Sequence, residues 1–410
     1  MKKPELLAPA GNLEKLKKAL IYGADAVYIG GEEYSLRAAA DNFTAEEMRQ
    51  GADFAHERGK KVYLTANIIP HNRDMDEYAD YLHLVKDTGI DAVILSDLGM
   101  FSVTREIAPE LDIHISTQAN NVNYQSARVW CQMGAKRVIV ARELSLEEIK
   151  EIRQRVQPEL ELEAFVHGAM CISYSGRCLL SNYMTGRDGN GGKCAHPCRW
   201  KYYLMEEQRP GEYMPVFENE RGTFIYNSKD LCMIEHIDKL MESGLTSFKI
   251  EGRVKSEFYV ATVIKAYRQA IDAYMADPEH YVFDPQWLEE LKKVSHRGYT
   301  TGFYFGKADA SSQNYASSSY IREYDMVGVV TGYDPKTQMA AVVQKNRFFK
   351  GSTVEVLGPT GKFFTQTVTE MRAEDGKEIE VANRPQSTVY IKMDQPVEPD
   401  AFLRKKKGMD

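Results

Sequence analysis

Eight short β-branched runs alternate with eight amphipathic helical patterns over the first 280 residues, and this alternation limits the chain to an α/β architecture. The strand-like runs fall at 6–10, 26–30, 61–67, 92–97, 113–118, 137–142, 162–167 and 247–251. Helical spacing follows them at 12–22, 44–57, 75–86, from 98 to 107, 124–133, 145–155, 231–242 and 256–275. Asn12, Thr44 and Ser145 stand where N-caps belong, and Glu47, three residues after Thr44, completes a capping box. Eight pairs predict a (β/α)8 TIM-like barrel. An open doubly wound sheet is the other arrangement that such alternation can build.

One connection breaks the rhythm. After the seventh strand about sixty residues pass before the next helix, and excursions of that length inside a compact domain are usually functional. This one leaves from a strand's C-terminal end, where barrel active sites lie. It carries five of the six cysteines: Cys171, Cys178, Cys194, Cys198 and Cys232. The sixth, Cys131, sits in a helical pattern and reads as packing.

Clustered thiols in a Gly-rich segment suit soft-metal ligation. Zinc sites usually present two short cysteine pairs, and only Cys194–Cys198 is one. The wider spacing of the others fits an iron–sulfur cluster better, with zinc as the alternative. Disulfides need an oxidising compartment, and the N-terminus lacks the apolar core of a secretion signal. No apolar run approaches a membrane span. A cytoplasmic protein with no membrane partner is expected.

The chain has 52 Lys+Arg against 59 Asp+Glu, a net of −7, which argues against a general nucleic-acid binder. Between 171 and 201, however, Arg177, Arg187, Lys193, Arg199 and Lys201 face only Asp188, five minus one, or +4. Local positive charge on an acidic protein suits a specific anionic partner, with Arg187 and Lys193 as its candidate contacts. A second basic run, at 404–407, reads as a solvated tail.

Polar residues recur where the barrel strands should end: Asn67, Asp97, Gln118, Arg142 with Glu143, His167, and Glu251 with Arg253. Each has a plainer reading as a helix cap or a water-facing strand end. Together they describe a polar pocket. Arg142 and Arg253 are the candidate two-pronged clamps for a carboxylate or phosphate. Lys249 shares the face of Glu251 by strand periodicity. His167 is a candidate proton carrier, or a hydrogen-bonded structural histidine. No His-Glu-x-x-His and no Gly-x-Ser-x-Gly after a strand supports a familiar hydrolase.

Beyond 280 the character changes. A linker and short helix occupy 281–322, and short β-branched runs with turn signals at 334–335, 358–359 and 375–376 predict a small all-β barrel over 323–410. The first domain is thus 1–280, with a cysteine-rich insertion at 168–232.

The run 163–181, EAFVHGAMCISYSGRCLLS, resembles the signature of the collagenase-like peptidase family, the thirty-second family of peptidases of unknown type. LLAPAG at 6–11, STQ at 116–118 and FKIEGR at 248–253 are similar to the same family, so the resemblance spans essentially the whole chain. CAHPCRW at 194–200 and SKDLC at 228–232 look most like the branch implicated in oxygen-independent hydroxylation of the tRNA wobble uridine, with prephenate as hydroxyl source.

The resemblance implies an RNA-modifying enzyme with tRNA and prephenate, or a similar small carboxylate, as partners. It also implies a 4Fe-4S cluster on Cys171, Cys178, Cys194 and Cys232. A related pattern uses both cysteines of the Cys194–Cys198 pair, so the fourth ligand stays open. Peptidase activity and small-molecule redox chemistry are the alternative functions, and the oligomeric state is not predicted.

Overall fold

The computed structural model describes residues 2–36, 41–171, 173–200, 217–219, 222–224, 228–306, 312 and 320–408. Its first domain is a closed parallel barrel. The strands are β1 (Glu5–Pro9), β2 (Ala26–Gly30), β3 (Lys61–Ala66), β4 (Ala92–Leu95), β5 (Asp112–Ile115), β6 (Arg137–Ile139), β7 (Glu161–Gly168) and, after the excursion, β11 (Ser247–Ile250). Each pairs with the next in parallel, and β11 pairs with both β7 and β1, which closes the cylinder.

The outer helices are α1 (Leu13–Ile21), α2 (Ala45–His56), α3 (Asn72–Val85), α4 (Leu98–Ile107), α5 (Tyr124–Met133), α6 (Leu146–Arg155), α8 (Ile237–Glu242) and α9 (Glu257–Ala276). Asn12, Thr44, Ser145 and Ser256 accept hydrogen bonds from backbone N–H groups of the first turns of their helices. The excursion contributes α7 (Leu180–Thr185), the short strands β8 (Phe217–Asn219) and β9 (Gly222–Phe224), and β10 (Asp230–Cys232).

The sixth strand ends at Ile139 rather than 142, and two further stretches differ from the pattern reading. The helix expected from 231 begins only at Ile237, because Leu231 and Cys232 pair antiparallel with Gly168 and His167 at the end of β7. The fifth strand stops at Ile115. Ser116 caps a single tight turn at Thr117–Ala119, which Asn120 ends in a left-handed conformation at φ 53°.

The barrel interior is charged. Arg137, 4% exposed, meets Glu5 at 2.6 Å, Glu161 at 2.6 Å and Glu163 at 2.8 Å, and Glu163 also meets Lys249 at 2.8 Å. Tyr63 donates to Glu5 at 2.6 Å and packs edge-on against the buried His114. Barrels of this kind are more often filled by branched apolar side chains. Here ion pairs between strands take that place, so each buried charge has a partner.

After α10 (Pro285–Lys292) and β12 (Tyr299–Thr300) comes the second domain. It holds β13 (Tyr324–Asp334), β14 (Met339–Gln344), β15 (Phe348–Phe349), β16 (Thr353–Leu357), β17 (Phe364–Thr367), β18 (Met371–Arg372), β19 (Val381–Ala382), β20 (Thr388–Lys392) and β21 (Phe402–Lys406). Seven of these form one antiparallel sheet in the order β17-β16-β21-β13-β14-β20-β18. Its two edges, β17 and β18, are consecutive in sequence, so the chain itself passes from one edge to the other.

The domain is seated firmly on the barrel. Tyr22 donates to the carbonyls of Leu357 and Asp400, and Phe402 packs against Tyr22 and Phe258. Arg404, the first member of the basic run, is fully buried between Glu290 and Glu355 at 2.7 Å each, while Lys406 and Lys407 are exposed. The tail reading therefore holds for its end and not for Arg404.

Candidate active site at the barrel mouth

The C-terminal ends of the barrel strands enclose a cavity of about 520 Å³, its open side included. Six of the residues singled out in the sequence line it together: Asn67, Gln118, Arg142, Lys249, Glu251 and Arg253. Thr65, Ser116, Tyr28 and Phe165 line it as well.

Arg253 lies across the barrel end, 4% exposed, with Nη1 donating to Thr65 at 2.9 Å. Gly30 makes room for it, since a Cβ there would sit 2.0 Å from that nitrogen. Gly168, at φ +111°, makes room for Glu251, because a Cβ would come within 2.6 Å of its carbonyl oxygen. Arg142 is half-buried over the face of Phe165, 4.1 Å from the ring centre, and Nη1 donates to the Ala169 carbonyl at 3.1 Å. Its Nε is buried with no hydrogen-bond partner among the described residues.

Lys249 forms the floor, boxed by the Tyr28 and Phe165 rings at 4.5 and 5.4 Å. Below it, burial alone would push the Glu163 carboxyl up, but Lys249 and then Arg137 outweigh that, and its pKa is lowered. Arg142 and Arg253 at one small cavity can bind a carboxylate, with Asn67 and Gln118 as neutral hydrogen-bonding groups; Lys249 at the floor is already paired with Glu163 at 2.8 Å, and Glu251 adds a carboxylate to the lining.

The other candidates stand elsewhere. Asp97 caps α4, accepting from Met100 N at 3.1 Å. Glu143 accepts from both Ser175 N and Ser175 Oγ, at 2.5 and 2.8 Å. His167 is 1% exposed beside the rings of Tyr259, Tyr267 and Tyr299. Burial, then Lys255 and His296, push its imidazole down to about 3, so it is neutral at physiological pH. Arg187 and Lys193 are exposed on the excursion and do not line the cavity.

The excursion lies over the mouth. Besides the Ser175 contact, Arg177 Nε donates to the Gln118 carbonyl at 2.8 Å, and Ile69 N donates to the Asn190 carbonyl at 3.2 Å. All six cysteines are free thiols. Cys171 is exposed, Cys178, Cys194 and Cys198 are partly buried, and Cys178 and Cys194 flank Gly189. Cys232 is buried on β10, where burial pushes its thiol up to about 12. As a donor set, five free thiols suit an iron–sulfur cluster or zinc. As placed, no three His, Cys, Asp or Glu side chains among the described residues stand close enough to share a metal ion.

The interior charge network escaped the sequence reading. Its signal was present: Arg137, Glu163 and Lys249 interrupt apolar strand runs that a barrel buries on both faces. No helix among the described residues is long and apolar enough to cross a membrane.

Comparison with known proteins covers both domains. The profile of peptidase family U32 matches residues 11–314, and that of the peptidase family U32 C-terminal domain matches 322–404. The chain is 46% identical over 406 residues to tRNA hydroxylation protein P1 of Bacillus subtilis (strain 168), spanning 99% of this chain and 96% of that one. It is 42% identical over 438 residues to tRNA hydroxylation protein P of Escherichia coli (strain K12), with 97% and 95% covered. A protein named collagenase from Porphyromonas gingivalis (strain ATCC BAA-308 / W83) is 32% identical over 381 residues, 90% of each chain. With both domains matched across nearly their full length, the chain belongs to peptidase family U32.

Proposed function

We propose that this protein hydroxylates uridine in tRNA, at the wobble position and without oxygen, taking the hydroxyl group from a small carboxylate such as prephenate. The observation that carries the tRNA reading is the nearly full-length similarity to two proteins named for tRNA hydroxylation. The carboxylate reading is supported by Arg142 and Arg253 at one cavity, with the buried Arg142 Nε lacking a partner among the described residues.

In this reading Arg142 and Arg253 hold and orient the carboxylate, and Lys249, paired with Glu163, forms the floor beneath it. Glu251 faces the same cavity as the candidate group for moving a proton. Cys171, Cys178 and Cys194, with Cys198 or Cys232, would hold an iron–sulfur cluster, which supplies redox or Lewis-acid chemistry when bound. Since the described positions do not gather three ligands, binding would draw the cysteine segment together.

Nucleoside mass spectrometry of tRNA from a deletion strain lacking any paralogue tests the function. The expected result is loss of 5-hydroxyuridine and its return on complementation. Unchanged hydroxyuridine would reject the tRNA reading. Peptide release by the purified protein in the same preparation would favour the peptidase alternative.

A further inference from the structure

A second cavity, about 1030 Å³ with its open side included, lies where the loop between β11 and α9 meets the C-terminal domain. Its barrel wall continues the active-site loop. Glu251 and Arg253 reach the mouth cavity, and residues 254–256 line this cleft. Arg253 and Lys255 are two positions apart, at most about 7 Å of extended chain. The opposite wall carries Tyr320, Arg322 and Tyr324, on the approach to β13.

The cleft is cationic on a chain of net charge −7. Lys293 is held by Glu290 and Glu355 at 2.8 Å each, which neutralise it. Tyr324 pairs with Lys406 across β13 and β21, which brings the exposed Lys406 and Lys407 to the same rim. Of the cleft and its rim, Lys255, Arg322, Lys406 and Lys407 stand against Glu323 and Asp325, four minus two, or +2, with Lys407 and Asp325 paired at 3.5 Å. There is an aromatic element too: Lys255 Nζ lies 3.8 Å from the Tyr320 ring centre, and Val254 is 54% exposed beside it. Positive charge along a groove is what tracks a nucleic-acid backbone, and Arg322 lies 5.8 Å from the centre of the same Tyr320 ring.

We propose that this cleft docks the RNA strand that leads out of the barrel mouth, with phosphates at Arg322, Lys406 and Lys407. The inference rests on the reading of tRNA as substrate. Those three side chains are on the surface, so their reversal should leave the fold intact, which an unchanged melting temperature would verify. The measurement is fluorescence-anisotropy titration of unmodified tRNA across a potassium chloride series, comparing wild type with the triple variant Arg322→Glu, Lys406→Glu, Lys407→Glu.

The variant should bind at least about tenfold more weakly at low salt. Its plot of log K against log salt should also be flatter by about two units, since each lost phosphate contact removes roughly 0.7–0.9. Equal affinity and equal slope, with wild type binding normally, would overturn the cleft assignment and leave the tRNA reading standing. Wild-type protein that binds no tRNA would overturn both.

Discussion

The Glu143 carboxylate accepts two hydrogen bonds from one residue, Ser175, through its backbone N–H at 2.5 Å and its hydroxyl at 2.8 Å. Ser175 is buried and sits in the left-handed region, at φ 43°. That backbone costs about 1–2 kcal/mol for a residue with a Cβ, and hydrogen bonds to a charged group contribute about 1.5–3 kcal/mol each. Glu143 is thus one of the points that fasten the segment between Cys171 and Cys178 to the barrel rim, beside the Arg177 contact with the Gln118 carbonyl.

Glu143→Ala should release this segment. Thiol labelling of Cys178 and limited proteolysis near 174–177 should both quicken, with little change in global melting. At Ser175 the two effects separate. Ala loses the hydroxyl bond and keeps the strain, whereas Gly loses the bond and relieves the strain. Ser175→Ala should therefore open the segment more than Ser175→Gly. The same labelling rate for all three variants and wild type would show that the contact fastens nothing.

Arg142 and Arg253 are not equivalent tests of the proposed carboxylate site. Arg253 is 4% exposed, bonded to Thr65 and packed over Gly30, so its loss damages the barrel end as well as the cavity. Arg142 is half-buried and pairs with no carboxylate among the described residues. Arg142→Ala should lower affinity for the small carboxylate about 10- to 100-fold, the worth of one charged hydrogen-bonding pair, with melting nearly unchanged. Arg142→Lys should recover only part, because an ammonium cannot present the paired donors. Calorimetric titration with prephenate reads both, and equal binding by Arg142→Ala and wild type would remove Arg142 from the site.

The barrel was legible because parallel strands buried on both faces leave short β-branched runs, and each run near 6, 26, 61, 92, 113, 137, 162 and 247 contains a barrel strand. The mouth residues were legible because a strand's end in this fold points to one place, and six of them line one cavity. What the sequence hid depends on contacts across long gaps. Glu143 meets Ser175 32 positions away through irregular chain, which no period encodes. His167 reads as a strand-end histidine until β10 folds back beside it and buries it. Asp97 carried two readings, and local geometry chose the helix cap.

Acid should destabilise the protein earlier than its exposed carboxylates would suggest. His114 is 2% exposed, and burial, then Arg137 and Lys249, hold its pKa well below the usual value. Unfolded, it takes a proton near pH 6.5, while the native state refuses one, so stability falls as pH drops below that value. Glu163, whose native pKa is lowered, adds a loss of the same sign once pH falls below about 4.3. Thermal melting should decline steadily from pH 7 to pH 4. His114→Gln should lessen the fall between pH 7 and pH 5 without abolishing it, because buried His167 adds a loss of the same sign, and a wild-type profile level across that range would contradict this account of the buried imidazoles.

The fourth ligand of the proposed cluster can be decided without measuring activity. Cys171, Cys178 and Cys194 belong to the segment laid over the mouth, and each would be required under either ligand set. Cys198 follows Pro197 in a single turn of that same segment. Cys232 instead sits on β10, fixed in the sheet beside His167. A ligand set with Cys232 would tie the segment to the barrel wall; a set with Cys198 would close the segment on itself.

Anaerobic protein should contain about four irons per chain. Alanine at Cys171, Cys178 or Cys194 should abolish them, while Cys131→Ala on α5 should leave them in place. Of Cys198→Ala and Cys232→Ala, the variant that loses iron and sulfide identifies the fourth ligand. Retention of iron by both would mean that either serves in the other's absence. One stoichiometric zinc in colourless wild-type protein would replace the cluster with a structural metal.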